Sequence, residues 1–222
     1  ISKTQRAQLS DWDVSTLEQL AELPIPLNKR PSKGTKESLE RAREQARVQY
    51  EARTKKSPVF EILPLEPNSG FARLPEPSIG DVFFDIEGDQ FIGKSGREYL
   101  LGWTTKDKSG ALKYDRIWSY DDAQEKAGFE LLMDTVMLRW SKHPEMHVYH
   151  FHHYEQTALK KLAGKFATRS VELDQLLRAE IFIDLHRVTR EAIRAGIERY
   201  SIKDLEQFYG LEREADLQDA NH

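Results

Sequence analysis

The sequence predicts an α/β layer fold: a mixed β-sheet with helices on both faces, preceded by a small helical region. Three observations carry this. First, strand-like apolar stretches follow one another at "VFFDIEG", "EYLLGWTT" and "ALKYDRIWSY" (Val82 to Tyr120), with turn chemistry "KDKSG" joining the last two. Second, helical and strand patterns alternate after Tyr120, giving the order β-β-β-α-β-α-α-β-α-α, which calls for helices layered on a sheet. Third, the regular pattern begins only at Val82; before it lie charged helical stretches and a proline-rich run.

The chain is read as three parts. Residues 1–56 form a helical region. Two short helices fit residues 1–23, where "STLE" has capping-box spacing with Ser15 as cap. The layout resembles a helix-hairpin-helix but lacks the glycine hairpin of that module, and a packing or linking role is the plainer reading. "LPIPLNKRPSKGTK" reads as a loop and residues 37–56 as a charged helix. Residues 57–80 read as an extended connector; "EILPLEPNSGFARLPEPSIGD" holds four prolines and two glycines. Residues 81–222 form the main domain.

Within it, residues 121–143 predict a long amphipathic helix with Phe129, Leu132, Val136 and Trp140 near one stripe. "MHVYHF" is a fourth strand. A helix follows with Tyr154, Ala158, Leu162 and Phe166 at four-residue spacing, then the helix "SVELDQLLRA" and a short strand "IFIDL". "HRVTREAI" and "SIKDLEQFYG" read as closing helices.

Composition sets limits. Of 222 residues, 39% are hydrophobic and 32% charged, within the globular range. Cysteine is absent, which excludes disulfides and thiolate metal sites and fits a reducing, cytoplasmic setting. No apolar run approaches the roughly 18–20 residues of a membrane span. The net charge of −4 gives no broad basic surface for nucleic acid, yet a metal ion can supply positive charge locally. The chain opens on Ile1 and closes on "DLQDANH", and we read it as a piece of a longer protein.

Chemistry concentrates at three places. Side chains alternate along a strand, so Phe83, Asp85 and Glu87 share one face of "VFFDIEG" while Val82, Phe84 and Ile86 share the other. Two carboxylates at that spacing suit hard divalent cations such as Mg²⁺ or Mn²⁺; they equally suit a strand end surfacing into water. At "VYHFHHYEQTALKKL" an apolar strand runs into His150, His152, His153, Tyr154 and Glu155. Glu155 lies in a first helical turn, where the dipole favours a carboxylate. Its register with Leu159 and Leu162 angles it toward the sheet. The i, i+2, i+3 spacing of the histidines splits them between faces and argues against zinc. In "IFIDLHRV", Asp184 can line the crevice at the strand ends or cap the next helix.

Together these motifs resemble the DEDD exonucleases of the RNase H-like superfamily. More narrowly, "YHFHHYEQTALKKL", "FIDLHRVTR" and "YSIKDLEQFYG" look like the RNase H-like domain of predicted bacterial RecB-family nucleases. The resemblance covers roughly residues 75–222, and the preceding segments are similar to that family's inter-domain region. It implies a metal-dependent nuclease, 3′→5′ on single-stranded DNA, within a larger protein carrying RecB-type nuclease and helicase domains. It implies a two-metal site of Mg²⁺ or Mn²⁺ held by Asp85, Glu87 and Glu155, with Asp184 supporting. His150, Tyr154, Lys160 and Arg187 are the implied substrate contacts. The superfamily usually has Asp where Glu155 stands. Its fourth acid is either Asp219, with Glu214 in place of the His that proofreading exonucleases carry five positions earlier, or lies past His222. The alternative implied by that gap is an inactive RNase H-like module that binds nucleic acid or positions its neighbours.

Overall fold

The computed structural model describes residues 1–93 and 95–210. In chain order the elements begin with α1 (Lys3–Ser10), α2 (Leu17–Ala21), α3 (Lys36–Lys55), β1 (Phe60–Ile62), β2 (Val82–Asp89), β3 (Arg97–Lys106) and β4 (Leu112–Trp118). They continue with α4 (Asp122–Lys142), β5 (Val148–His150), α5 (Tyr154–Phe166), α6 (Ser170–Arg178), β6 (Phe182–Asp184), α7 (Leu185–Ala192), β7 (Ile193–Ala195) and α8 (Ile202–Leu205). The chain divides into two compact units: Glu66–Thr189, and Ile1–Leu65 together with the chain from Arg190 on.

The Glu66–Thr189 unit is built on a five-stranded mixed sheet of order β4-β3-β2-β5-β6, with helices on both sides. β2 pairs antiparallel with β3 and parallel with β5, and β5 pairs parallel with β6. The predicted alternation holds: Val82, Phe84 and Ile86 are buried, while Phe83, Asp85 and Glu87 are exposed. On the buried face they meet Phe129, Leu132 and Val136 of α4, Ala158 and Leu162 of α5, and Leu173 and Leu176 of α6. Trp140, Tyr154 and Phe166, the remaining members of the predicted helical stripes, pack partly against this core. Each large apolar side chain so buried contributes about 1.5–3 kcal/mol. α4 starts where the Asp121 carboxylate accepts the N–H of Gln124.

Because β2, β5 and β6 are parallel, their carboxyl ends lie along one edge. Gly88, His150 and Asp184 sit at those ends, and α5 and α7 begin just beyond them. The first strand stops running regularly there, with a register shift between Glu87 and Gly88.

In the other unit, α1, α2 and α3 enclose Leu9, Leu20, Leu27, Leu39 and Ala46. α2 is capped by Thr16 and not by Ser15; Gln19 closes the box. Thr16 prevails because its hydroxyl is one residue nearer the helix and reaches the N–H of Gln19. The stretch read as a connector contains β1, which pairs antiparallel with β7, whose first residue, Ile193, reads in the sequence as the end of a helix. Gly196 follows β7 without a side chain because a Cβ there would stand 2.5 Å from that of Ala52 on α3. Among the described residues, no helix is long and apolar enough to cross a membrane.

Candidate active site

Asp85 stands on the open face of β2, two residues beyond Phe83, whose ring stacks on Tyr149 of β5 at 5.0 Å. The Asp85 pKa lies above its ordinary 3.8. The first cause is burial among its neighbours, although part of its surface meets solvent; the charge of Glu155 adds to it, and a backbone hydrogen bond from Ile86 opposes it. The two acids singled out in separate motifs therefore feel one another.

Glu155 is only 4% exposed, in the first turn of α5. The helical register that buries Leu159 and Leu162 buries it too. Its Oε2 is closed off from solvent and has no hydrogen-bond partner. The nearest cationic candidate is His150, 2% exposed, with Nδ1 3.5 Å from that oxygen. That nitrogen is already committed: it lies 2.5 Å from the carbonyl oxygen of His152, so Nδ1 carries the proton and donates it there. Nε2 then accepts from the Gln156 side-chain amide at 3.0 Å. With Nδ1 donating to the His152 carbonyl, the Glu155 oxygen is left without a hydrogen bond. A buried carboxylate oxygen without a hydrogen bond costs free energy, so this position does not serve stability.

On the other side of α5's first turn, Tyr154 donates its hydroxyl to Glu98 Oε2 at 2.7 Å, and Lys161 reaches Glu98 Oε1 at 3.1 Å. Glu98, at 2% exposure, is the second residue of β3 and lies opposite Gly88. A Cβ on Gly88 would fall 1.9 Å from Glu98 Oε2 and 2.6 Å from the Tyr154 hydroxyl. Glycine is therefore what lets the strand end close on this pair. Burial, the hydrogen bond to Glu98 and the Glu98 and Glu87 charges all raise the Tyr154 pKa, which keeps the phenol protonated as a donor. Neither Glu98 nor Gly88 was legible as a site residue: a Glu at a strand start reads as a solvated end.

Asp184 pairs with His150 across β5 and β6. Its Oδ1 accepts backbone N–H groups from His186 at 2.9 Å, Arg187 at 3.3 Å and His152 at 2.9 Å. It caps α7, one of the two roles weighed for it, and also holds the loop after β5. Glu87 is exposed on the Asp85 face, and Lys160 and Arg187 are exposed on α5 and α7. Asp219 and Glu214 lie outside the described residues.

These residues suit a divalent ion in part. Asp85 and Glu155 supply hard oxygen donors in mutual repulsion, and one donor atom is buried and unpartnered. Among the described residues, no group of three or more His, Asp or Glu side chains is arranged to hold a metal. Mg²⁺ does not need one, because it is held by one or two carboxylates with waters and substrate phosphates.

A five-stranded mixed sheet of this order with helices on both sides has the architecture of an RNase H-like fold. The model of the RNase_H superfamily family RNase_H_2 matches residues 82–221, and the chain belongs to that superfamily. Membership indicates a hydrolase of the nuclease type, acting on nucleic acid. No curated protein and no solved structure matches the chain significantly.

Proposed function

We propose that the chain is a divalent-metal-dependent nuclease module that removes nucleotides 3′→5′ from single-stranded DNA. One observation carries the reading: Glu155 keeps a buried, unpartnered carboxylate oxygen within electrostatic reach of Asp85. A stability-driven fold would pair or replace such a group; a cation site uses it. Asp85, Glu87 and Glu155 would hold the ions. Mg²⁺ or Mn²⁺ bound there would supply positive charge to the scissile phosphate and lower the pKa of attacking water. The protein's own part is positioning. His150 and Asp184 fix the loop before α5, and Tyr154 and Glu98 fix the first turn that carries Glu155. Lys160 and Arg187 stand exposed on the helices that start at this edge, where a phosphate backbone can meet them.

The polarity, the preference for DNA, the larger protein with RecB-type nuclease and helicase domains, and the cytoplasmic setting rest on the resemblance to DEDD and RecB-family nucleases and on the absence of cysteine. A second reading, an inactive module that binds nucleic acid, is favoured by one observation: the described residues bring together fewer than three metal-ligating groups. The deciding experiment follows a labelled single-stranded oligonucleotide with Mn²⁺. Degradation that Asp85→Ala abolishes supports the nuclease. Binding of the strand without degradation overturns it and favours the second reading.

A further inference from the structure

Among the histidines before α5, His152 is unusual in its backbone. Its φ is +85°, in the positive-φ region that only a few per cent of residues other than glycine adopt, histidine more readily than most. Such a conformation costs on the order of 1–3 kcal/mol and persists only where the surroundings impose it. Two side chains do so here. The Asp184 carboxylate accepts the His152 N–H at 2.9 Å, and the buried His150 ring holds the His152 carbonyl at 2.5 Å. The peptide groups on both sides of His152 are thereby fixed from the ends of β5 and β6.

The strain is not repaid by burial. His152 and His153 are both exposed. Their rings lie 4.1 Å apart, and the His186 ring stands 4.6 Å from that of His152, nearly edge-on. Phe151 packs against His186 at 5.4 Å, so four rings adjoin one another. The ridge shares its support with the acidic site: the His150 Nδ1 that holds His152 is the atom 3.5 Å from Glu155 Oε2. A metal does not explain the ridge, since among the described residues no three such side chains are arranged for one.

We propose that His152, with His153 beside it, is a stacking surface for an unpaired nucleobase of the strand that meets Asp85 and Glu155. Exposed planar rings on a backbone held in place beside the acidic site offer a π-face to any base, independent of sequence. Only unpaired bases can use it, because in a duplex both faces of each base are already stacked. The proposal rests on the nuclease reading for the strand's destination, but its test does not depend on cleavage.

The test is fluorescence anisotropy of a labelled oligothymidylate in EDTA, which silences metal-dependent hydrolysis, with a duplex of equal length in parallel. The full chain is compared with its His152→Ala, His152→Phe and His153→Ala variants, each checked for folding by circular dichroism. Loss of one base–aromatic stack is expected to weaken single-strand binding by roughly 5- to 150-fold in His152→Ala. His152→Phe is expected to bind within about threefold of the parent. Duplex affinity is expected to stay constant. Should His152→Ala fail to fold, His152→Phe and His153→Ala still decide, by retention in the first and weakening in the second. Unchanged binding in His152→Ala, equal loss in His152→Phe, or no single-strand binding by the parent overturns the proposal. A parent that binds through His152 yet never cleaves leaves this inference standing and removes the nuclease reading alone.

Discussion

The Oε2 atom of Glu155 lies 3.5 Å from Nδ1 of His150, and the two buried side chains do not form a hydrogen bond. The imidazole proton is spent on the His152 carbonyl instead. This relationship separates Glu155 from a structural ion-pair member, and the consequences can be measured.

Glu155→Gln removes a buried charge without leaving a partner unsatisfied. The expected result is unchanged or raised stability, by up to about 1 kcal/mol in chemical denaturation without metal. Leu159→Ala, one helical turn on and 2% exposed, serves as the contrast and is expected to lose about 2–5 kcal/mol. A loss of more than about 2 kcal/mol in Glu155→Gln would mark Glu155 as a structural ion-pair member.

Asp85 predicts a pH dependence. Its folded pKa is raised, so the folded protein holds this proton to higher pH than the unfolded chain does. Stability therefore falls as pH rises from the ordinary value of 3.8 to the raised one, and the cost is constant above it. Asp85→Asn is expected to match the parent below that window and to gain on it through the window. Melting temperatures of both proteins from about pH 3 to about pH 7 check this. Mn²⁺ should reverse the order at neutral pH, stabilising the parent and not the variant.

Gly88→Ala drives a methyl group into Glu98 and Tyr154. Overpacking of this kind costs about 1–3 kcal/mol. Tyr154→Phe removes the hydroxyl that the methyl meets, so the double variant is expected to be less unstable than the sum of the singles. Additive losses would show that Gly88 is not needed for the Tyr154–Glu98 approach.

Glu125 is fully buried at 0% exposure, accepts the Glu98 N–H at 2.7 Å and pairs with Lys165 at 2.6 Å. Glu125→Ala leaves the buried Glu98 N–H without its acceptor and Lys165 with Asp122 alone, and is expected to cost about 1–3 kcal/mol by denaturant unfolding. Glu125→Gln, which keeps an acceptor for the Glu98 N–H, should lose less.

The main sheet was legible because both periods were strong. Alternation in "VFFDIEG" assigned Val82, Phe84 and Ile86 to the core, and four-residue spacing did the same for Ala158 and Leu162. The pairing of β1 with β7 was not legible, because three-residue strands at distant positions carry no period and are fixed by long-range contact. At the site, the strand and helix acids stood out as carboxylates in apolar runs. What local pattern could not show was the backbone of His152 or the burial of Glu98, since both are set by partners far along the chain.

In the proposed site Asp85 and Glu155 hold a divalent ion together. The direct measurement is Mn²⁺ binding to the parent, Asp85→Asn and Glu155→Gln, with the free ion followed by electron paramagnetic resonance. Saturable binding is expected of the parent, with a loss of about tenfold or more in each variant. Equal Mn²⁺ affinity in all three proteins would contradict that site.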